Sequence, residues 1–438
     1  MLKQYDIQTA KQTILKRTAF DSVDKKVLQR VEEILRDVQL RGDIALQHWT
    51  QTLDLSPSDT RFTTKPQIDS VSRNILLSAL DSLPRQQREA LEIAKTRIES
   101  FHRKQPLASW FTDELGGKVG QIIKPIQRVG LYVPSGTAPL PSTVLMSAIP
   151  ARVAGVKEIV VVTPPMKERK EFVIDPVILA ACAIADIDEV YPIGGAQAIG
   201  ALAYGTQSIK RVDKIFGPGN IYVTLAKQKV FGIVGIDGLA GPTETVVIAD
   251  EFANPKWVAA DLLAQAEHDV LASSILITPS QTLIQNVQVE IKNQIETLKR
   301  NNIILTSLEN CGGAVLTRDI QEAIDLVNEY APEHLGLSIK EPWKWIDKIQ
   351  NAGGVFMGEH SYEVLGDYVA GPSHVMPTSG TARFASPLNV WDFVKIISVV
   401  GLDENTAQVT GQVAEAIALS EKLDAHANAV SIRRGESK

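Results

Sequence analysis

Apolar residues recur at two different spacings along the chain, and the change of spacing divides the chain into regions. Residues 24–42 and 70–104 place apolar side chains every three or four positions between many charges, a pattern that predicts amphipathic helices. From Val129 onward, short runs rich in β-branched residues alternate with helical stretches. This alternation is typical of βαβ units, in which helices cover both faces of a parallel sheet.

The alternation runs through the chain twice. The first series predicts strands and helices, in turn, over 129–133, 142–156, 158–163, 176–185, 189–193 and 196–204. After Gly235 it restarts, and the second series predicts strands and helices over 244–249, 255–267, 274–278 and 281–298. We therefore expect two similar α/β units, followed by a compact segment over 383–400 and a helix over 407–422.

Length and composition indicate a multidomain protein that binds a small molecule. A chain of 438 residues exceeds one ordinary core, so two or three domains are expected. The 45 basic and 51 acidic residues form no long run of one sign, which argues against binding nucleic acid or a membrane surface. Residues 1–17 lack the apolar core of a signal peptide, and no segment is apolar enough to span a bilayer, so a cytoplasmic location is expected. Cys182 and Cys311 lack C-x-x-C spacing and are predicted to be core residues.

Side chains that can bind metals are concentrated between Gln265 and the C-terminus, where five of the seven histidines lie. Gln265 and His268 are three residues apart near the end of a predicted helix, so both side chains are able to hold one ion. Asp367 and His426 add a carboxylate and a second imidazole, which completes an N/O set suited to zinc or a similar divalent ion. For the first two residues, an ordinary polar helix end is the alternative.

A histidine beside a carboxylate follows the helix predicted over 320–330. Pro332 disfavours helix in the residue before it, so Glu333 and His334 are expected at a helix-to-strand junction. Together they offer two proton acceptors, as needed for removing a proton from an alcohol and from a water molecule. The alternative is a surface acid beside a capping histidine.

Two Gly-rich turns, GGAQ at 194–197 and GPGN at 217–220, each end a predicted strand and open a helix. Such turns can bring backbone N–H groups toward a dinucleotide phosphate. Neither turn matches G-x-G-x-x-G, so each is a weak signal on its own. Tyr132, on an earlier strand, is able to stack on a cofactor ring or to serve as an ordinary buried strand aromatic.

Ordered sequence blocks over essentially the whole chain resemble the histidinol dehydrogenase family. From the N-terminus onward the blocks are RVGLYVPSGTAPLPSTVLM, GGAQAIGALAYGT, VDKIFGPGN, AGPTE, DLLAQAEHD, APEHL, GDYVAGPSHVMPTSGTAR and DAHANAV. So many matching blocks in one order are not expected by chance.

The resemblance implies a zinc enzyme that oxidises L-histidinol to L-histidine, the last step of histidine biosynthesis, with two NAD turnovers and an aldehyde that stays bound. It also implies an intertwined homodimer in which Glu421 and His426 enter the partner's active site. The implied site residues are the metal ligands Gln265, His268, Asp367 and His426; the general base His334 and the water-activating Glu333; the further substrate contacts Thr243, His374 and Glu421; and the NAD contacts Tyr132, Gln197 and Asn220. The metal ligands and His334 are implied to contact the substrate as well.

The expected fold is therefore α/β, with two Rossmann-like domains, an N-terminal helical segment and a C-terminal helical tail. The expected boundaries are an N-terminal helical arm over 1–22, a discontinuous metal and catalytic domain over 23–128 and 240–382, an NAD-binding-like domain over 129–239, and a tail over 383–438 that docks on the partner subunit.

Three other functions stay open at this stage. The first is a related dehydrogenase acting on another small amino or hydroxy alcohol, since Thr243 replaces the Ser of many relatives within the expected substrate pocket. The second is a catalytically silent paralogue, which the intact ligands and base argue against. The third is a zinc hydrolase, in which the GGAQ and GPGN turns would have no ligand to bind.

Overall fold

The computed structural model describes residues 2–16, 24–55, 68–135, 138–167 and 173–435. The strands are β1 (Gln4–Tyr5), β2 (Trp110–Thr112), β3 (Lys118–Pro125), β4 (Arg128–Tyr132), β5 (Glu158–Val162), β6 (Glu189–Tyr191), β7 (Lys214–Phe216), β8 (Gly235–Ile236), β9 (Glu244–Ala249), β10 (Ser273–Thr278), β11 (Gly313–Leu316), β12 (His334–Ser338), β13 (Gly354–Met357) and β14 (Val394–Gly401). The α-helices are α1 (Ile7–Gln12), α2 (Lys25–Arg41), α3 (Asp43–Leu53), α4 (Arg73–Ser82), α5 (Arg85–His102), α6 (Pro141–Val153), α7 (Pro176–Ile184), α8 (Gly195–Tyr204), α9 (Ile221–Val230), α10 (Pro255–Ala266), α11 (Gln281–Ile295), α12 (Asn301–Asn310), α13 (Ile320–Tyr330), α14 (Glu363–Tyr368), α15 (Glu404–Ser420) and α16 (Asp424–Arg433).

Most strands belong to two parallel sheets, which confirms the predicted α/β class. The five-stranded sheet has the order β6-β5-β4-β7-β8, and the six-stranded sheet has the order β1-β11-β10-β9-β12-β13. Without β1, both sheets have the same strand order. If β4 is counted as strand 1 of the first sheet and β9 as strand 1 of the second, each order is 3-2-1-4-5, as in a doubly wound fold. The restart of the alternation predicted after Gly235 thus corresponds to a second sheet of the same topology.

The N-terminal arm predicted over 1–22 is not purely helical. β1 pairs with β11 at the edge of the six-stranded sheet, and α1 follows it. Leu2 is buried in the core beneath this sheet. A sheet edge offers unpaired backbone groups, and a short parallel strand satisfies them. The described part of the arm therefore belongs to the second sheet, and residues 17–23 lie outside the described residues.

The helices of the predicted segment 23–128 pack on elements of the five-stranded sheet, and the domain boundaries predicted for this segment stay a prediction. α2 and α3 share a core with β4 and α8 of the five-stranded sheet, and α4 packs on α7. The apolar face of α2 fits α8 because Gly200 has no side chain. A Cβ atom built there would lie 3.2 Å from Leu35 Cδ2 and 3.3 Å from Val38 Cγ1. An amphipathic pattern identifies the face that is buried but not the surface that covers it.

The helical pattern predicted over 70–104 contains two helices rather than one. α4 ends at Ser82, and Leu83 is extended before Pro84, which precedes α5. Proline restricts the residue before it and has no N–H group to continue a helix. α3 was not predicted as a separate helix. It follows Gly42, whose φ of 55° ends α2.

Gln105–Ile126 and the described residues from Phe393 onward form a second compact unit. Its sheet is antiparallel, with β3 between β14 and β2. The helix predicted over 407–422 is confirmed as α15. It begins earlier because Asp403 accepts a hydrogen bond from the backbone N–H of Thr406. β14 was not predicted.

Two further sequence expectations concern the cysteines and the bilayer. Cys182 is buried as predicted, whereas Cys311 is only half-buried. Within the described ranges, none of the helices combines the length and the apolar content required to cross a bilayer.

Packing of α2 on the five-stranded sheet predicts different effects for two leucines of this helix. Leu35 is 4% exposed and Leu40 is 73% exposed. We expect Leu35→Ala to lower the free energy of unfolding by about 2–5 kcal/mol, because it opens a cavity against α8. We expect Leu40→Ala to change it by less than about 0.5 kcal/mol. Urea denaturation followed by circular dichroism measures both variants, and equal effects would contradict this packing.

Candidate active site

Glu333 and His334 lie at the predicted helix-to-strand junction. α13 ends at Tyr330, and Ala331 takes a left-handed conformation with φ 54° and ψ 66° before Pro332. His334 is then the first residue of β12. Glu333 is 6% exposed and His334 is 4% exposed, which excludes the alternative of a surface acid beside a capping histidine.

Both side chains are at the amino edge of the six-stranded sheet. β12 is parallel to β9, and the register pairs His334 with Thr245. The residues that lead into β9, Thr243 and Glu244, therefore lie beside Glu333. This position differs from the usual site of a doubly wound sheet, where ligands bind at the carboxyl ends of the strands.

The Glu333 carboxylate is held by two donors from the start of β9. Thr243 Oγ1 donates to Glu333 Oε2 at 2.5 Å, and the backbone N–H of Glu244 donates to the same oxygen at 3.0 Å. The threonine at 243 keeps the hydroxyl group that this contact requires. These two bonds fix the orientation of the carboxylate next to the imidazole, since Glu333 Oε2 is 3.5 Å from His334 Nδ1.

The imidazole of His334 has one engaged nitrogen and one available nitrogen. Nδ1 is 3.2 Å from the backbone oxygen of Glu244, and because a carbonyl only accepts, we assign the ring hydrogen to Nδ1. The ring stacks on Phe356 with centroids 5.9 Å apart. Nε2 is buried and finds no hydrogen-bond partner among the residues that the structure describes; Asp367 Oδ1 is 3.7 Å away. In the neutral ring Nε2 is therefore the proton acceptor, and in the imidazolium form it carries the second hydrogen.

Opposite charges set the protonation preferences of this cluster. Burial opposes a charge on His334, but the carboxylates of Glu363 and Glu333 and the contact with Asp367 outweigh it and raise the pKa of His334 well above its ordinary value. Burial likewise opposes the charge on Asp367, but interactions with His334, His374 and His268 lower the pKa of Asp367. The surroundings therefore favour the transfer of a proton to His334.

Three of the four predicted metal ligands belong to this region. Gln265 is buried in the last turn of α10, which ends at Ala266, so His268 lies just beyond the helix rather than within it. The backbone N–H of His268 donates to the backbone oxygen of Gln265 at 3.2 Å. His268 is also close enough to Asp367 to affect the pKa of that carboxyl. An amide oxygen, an imidazole and a carboxylate are a donor set that fits zinc.

His374 is oriented by the chain segment that carries Asp367. Its Nδ1 is 2.8 Å from the backbone oxygen of Asp367, so Nδ1 carries the ring hydrogen and Nε2 is the acceptor. Burial lowers the pKa of His374 despite the nearby carboxylate of Asp367. The preceding residue, Ser373, donates from Oγ to the backbone oxygen of Met146 at 3.1 Å and so ties this segment to α6.

Glu421 and His426 belong to the second compact unit, and both are exposed. Glu421 follows the last residue of α15, and His426 lies in α16. Across the described ranges, no three His, Cys, Asp or Glu side chains are arranged as ligands of one ion. The roles predicted for these two residues remain predictions.

Glu363 is a buried member of the cluster that the sequence analysis did not single out. It opens α14, four residues before Asp367, so the two side chains share a helix face. Thr245 Oγ1 donates to Glu363 Oε2, and Glu363 Oε1 is 3.9 Å from His334 Nδ1. Burial raises the pKa of Glu363 to about 7. The spacing of four residues from Asp367 is the signal that points to it.

The three residues predicted to contact NAD lie at the carboxyl ends of strands of the five-stranded sheet or shortly after them. Tyr132 ends β4, Gln197 lies in the first turn of α8 after β6, and Asn220 precedes α9 after β7. Asn220 Oδ1 accepts hydrogen bonds from the first backbone N–H groups of α9, which makes it the N-cap of that helix. The carboxyl edge is the expected position for a nucleotide in a doubly wound sheet.

Tyr132 and Gln197 both have defined partners at this edge. The backbone N–H of Gly195 donates to Tyr132 Oη at 3.1 Å, and Gln197 Nε2 donates to Asp54 Oδ2 at 3.0 Å. Gln197 Oε1 is buried and has no hydrogen-bond partner in the described part of the chain. The amide thus has one satisfied end and one open acceptor.

The GPGN turn beside Tyr132 is held rigidly. Gly217 has a φ of 109°, and a Cβ atom there would lie 2.1 Å from the backbone oxygen of Tyr132, so only glycine fits. The backbone N–H of Gly217 donates to Asp237 Oδ2 at 2.7 Å. The backbone oxygen of Gly217 accepts a hydrogen bond from Lys227 Nζ at 2.9 Å. Lys227 and Asp237 also form a buried ion pair.

Comparisons with known proteins show the family and the fold of the chain. The family model described as histidinol dehydrogenase matches residues 17–434. The histidinol dehydrogenase of Nitrosomonas europaea is 49% identical over 418 residues, which cover 94% of each chain. That of Thermus thermophilus is 47% identical over 94% of this chain and 96% of its own. A crystal structure of histidinol dehydrogenase from Elizabethkingia anophelis has a TM-score of 0.91 at 36% identity and covers 99% of this chain and 98% of that chain.

The fold and these relatives together define an α/β oxidoreductase. The chain belongs to the histidinol dehydrogenase family, which confirms the resemblance found in the sequence. An acetylating aldehyde dehydrogenase from Geobacillus thermoglucosidasius shares the fold alone, with 14% identity and a TM-score of 0.50 over 86% of this chain and 98% of that chain.

The burial of Asp54 beside Gln197 predicts a pH effect on stability. Burial raises the pKa of Asp54 to about 6 from an ordinary value of 3.8, so the folded protein holds this proton more tightly than the unfolded chain does. The free energy of unfolding should therefore fall as pH rises from about 4 to about 6. Asp54→Asn cannot ionise at this position and so does not lose stability in this window. The difference in melting temperature, variant minus unsubstituted protein, should therefore increase by a few degrees between about pH 4 and about pH 6 and stay constant above that range.

Differential scanning fluorimetry from pH 4 to pH 7 measures the effect. Asp69→Asn, at an exposed carboxyl, is the control and should show a constant difference. Parallel curves for Asp54→Asn and the unsubstituted protein would contradict the raised pKa.

Proposed function

We propose that the protein catalyses the zinc- and NAD-dependent four-electron oxidation of L-histidinol to L-histidine through bound L-histidinal, the last step of histidine biosynthesis. The observation that carries this proposal is the buried His334 with an available Nε2, next to Glu333 and on the same sheet edge as a zinc-type donor set. Membership in the histidinol dehydrogenase family supports the choice of substrate.

Gln265, His268 and Asp367 would hold zinc, with His426 of the partner subunit as the fourth ligand. When bound, zinc supplies an anchor for the imidazole and amine of histidinol, so that the carbinol carbon is fixed by orientation rather than by activation of the alcohol. His374 and Thr243, together with Glu421 of the partner subunit, would contact the substrate. The lowered pKa of Asp367 supports its role, because a ligand carboxyl must be ionised.

The partner's contribution rests on a homodimer with intertwined tails. The side chains of Val409, Val413 and Ile417 on α15 are each more than half exposed. They recur at a spacing of four residues, so they share one apolar helix face, and such a face suits a helix that docks on another chain.

NAD would bind at the carboxyl edge of the five-stranded sheet, through Tyr132, Gln197 and Asn220. When bound, it accepts one hydride in each oxidation. The open Gln197 Oε1 is a buried acceptor suited to an N–H or O–H donor of a nucleotide.

In the first oxidation, His334 Nε2 accepts the hydroxyl proton of the alcohol as the hydride leaves its carbon. The carbon–oxygen bond becomes the double bond of the aldehyde. The negative charge around His334 stabilises the imidazolium that results.

In the second oxidation, Glu333 accepts a proton from water as the water oxygen bonds to the aldehyde carbon. The proton that His334 took in the first oxidation passes to the aldehyde oxygen, which gives the hydrate and returns His334 to its neutral form. His334 then accepts a hydroxyl proton of the hydrate as the second hydride leaves, and the carboxylate product forms. Thr243 and the Glu244 N–H keep the Glu333 carboxylate directed at one position during these steps.

The direct test is the amount of NADH formed per molecule of L-histidinol. We expect two NADH per substrate, loss of this activity after treatment with a chelator, and recovery when zinc is added back. One NADH per substrate would indicate release of the aldehyde and would contradict the four-electron reaction. Activity that survives complete metal removal would contradict the zinc centre.

The roles of Glu333 and His334 can be separated by supplying each substrate alone. Glu333→Gln should slow oxidation of L-histidinal at least about a hundredfold, because no group remains to activate water, and should slow oxidation of L-histidinol much less. Glu341→Gln, at an exposed position, is the control. Steady-state rates with both substrates provide the readout, and an equal loss in the two reactions would remove the role assigned to Glu333.

A further inference from the structure

Glu363 joins the proposed metal ligand Gln265 to the proposed base His334. Its carboxylate is buried among three elements: α14, which carries it, β9, through Thr245, and α10, through Gln265. Oε2 accepts from Thr245 Oγ1, and Oε1 faces both Gln265 and His334 Nδ1. The Glu363 side chain is only 7% exposed, unlike that of an ordinary surface carboxylate.

The neighbours of Gln265 select one orientation of its amide. With the nitrogen directed at Glu363 Oε1, the two atoms are 2.7 Å apart and the amide donates to the carboxylate. The amide oxygen then lies 2.8 Å from two donors, the backbone N–H of Glu244 and the hydroxyl of Thr243. Both groups also donate to Glu333 Oε2, so their hydrogens are shared between the two acceptors. The reverse orientation would place two acceptors together at Glu363 and two donors together at Glu244.

We propose that Glu363 is a positioning residue that holds the amide of Gln265 with its nitrogen turned toward α14, which keeps the amide oxygen available as a metal ligand. This inference rests on the zinc centre of the proposed function. Partners that fix the orientation of a ligand and raise its basicity commonly contribute 10-fold to 100-fold to metal affinity. A carboxylate does both for an amide, because it accepts from the nitrogen and increases the electron density on the oxygen.

Glu363 is placed for this task by the same short helix that carries Asp367. The spacing of four residues directs both side chains to one face of α14. Arg97 Nε donates at 2.5 Å to the backbone oxygen of Val369, which follows that helix, and so ties it to α5. One helix therefore presents a metal ligand and the residue that orients a second ligand.

A double-mutant cycle on zinc affinity tests the proposal. The full-length protein is prepared unsubstituted and as Glu363→Leu, Gln265→Ala and the double variant, and zinc dissociation constants are measured by competition with chelators of graded strength. We expect Glu363→Leu to weaken zinc binding at least about tenfold. In the Gln265→Ala background the same change should alter the affinity less than about twofold, because the ligand through which Glu363 acts is absent.

The control is Glu341→Leu, at an exposed carboxylate paired only with Lys344 among the described residues, which should leave zinc affinity unchanged. Thermal unfolding of the metal-free proteins reports whether each variant is folded. Where Glu363→Leu does not fold, Glu363→Met, with a longer and more flexible side chain, takes its place in the cycle.

Unchanged zinc affinity in the Glu363 variant would overturn the inference. So would losses that add fully in the double variant, since Glu363 would then act independently of Gln265. Failure of the unsubstituted protein to bind zinc would instead contradict the zinc centre of the proposed function, and this inference with it.

Discussion

The parallel pairing of β12 with β9 is the constraint on which the site depends. It places Glu244 between the two candidate proton acceptors, where its N–H holds Glu333 and its carbonyl holds His334 Nδ1. A shift of one residue in this register would turn every side chain of β12 to the opposite face. The tautomer of His334 therefore follows from backbone hydrogen bonding, and the direction of the Glu333 carboxylate follows from the Glu244 N–H together with the Thr243 hydroxyl.

Three buried carboxylates lie at the amino edge of the six-stranded sheet, and their negative charges need hydrogen-bond donors or a positive charge nearby. Glu333, Glu363 and Asp367 surround His334, and an isolated carboxylate in such a place would be strongly destabilising. Each has hydrogen-bond donors or the imidazole nearby, and the collected negative charge raises the proton affinity of His334. The same negative charge suits the proposed divalent cation and a substrate that carries an imidazole and an amine. The carboxylates that need compensation when buried are therefore the groups that the proposed reaction would use.

Local sequence signals predicted the α/β class, the second series of strands and the junction at Pro332, because each depends on periodicity or on the chemistry of a single residue. Long-range pairings were not predicted. The apolar stripe of α2 does not reveal that α8 covers it, and the antiparallel partner of β14 lies far away in sequence, in β3. The amino-edge position of His334 depends on strand register, and Glu363 gains its role from neighbours on β9 and α10.

We propose that Gln265, His268 and Asp367 form one metal centre beside His334, completed by His426 of the partner subunit. Anomalous diffraction at the zinc edge from crystals of the zinc-loaded protein locates the bound ion. We expect one strong peak per chain, within bonding distance of the Gln265 amide oxygen, a His268 ring nitrogen and the Asp367 carboxylate. A zinc peak elsewhere in the chain, or one ligated without these three residues, would contradict it.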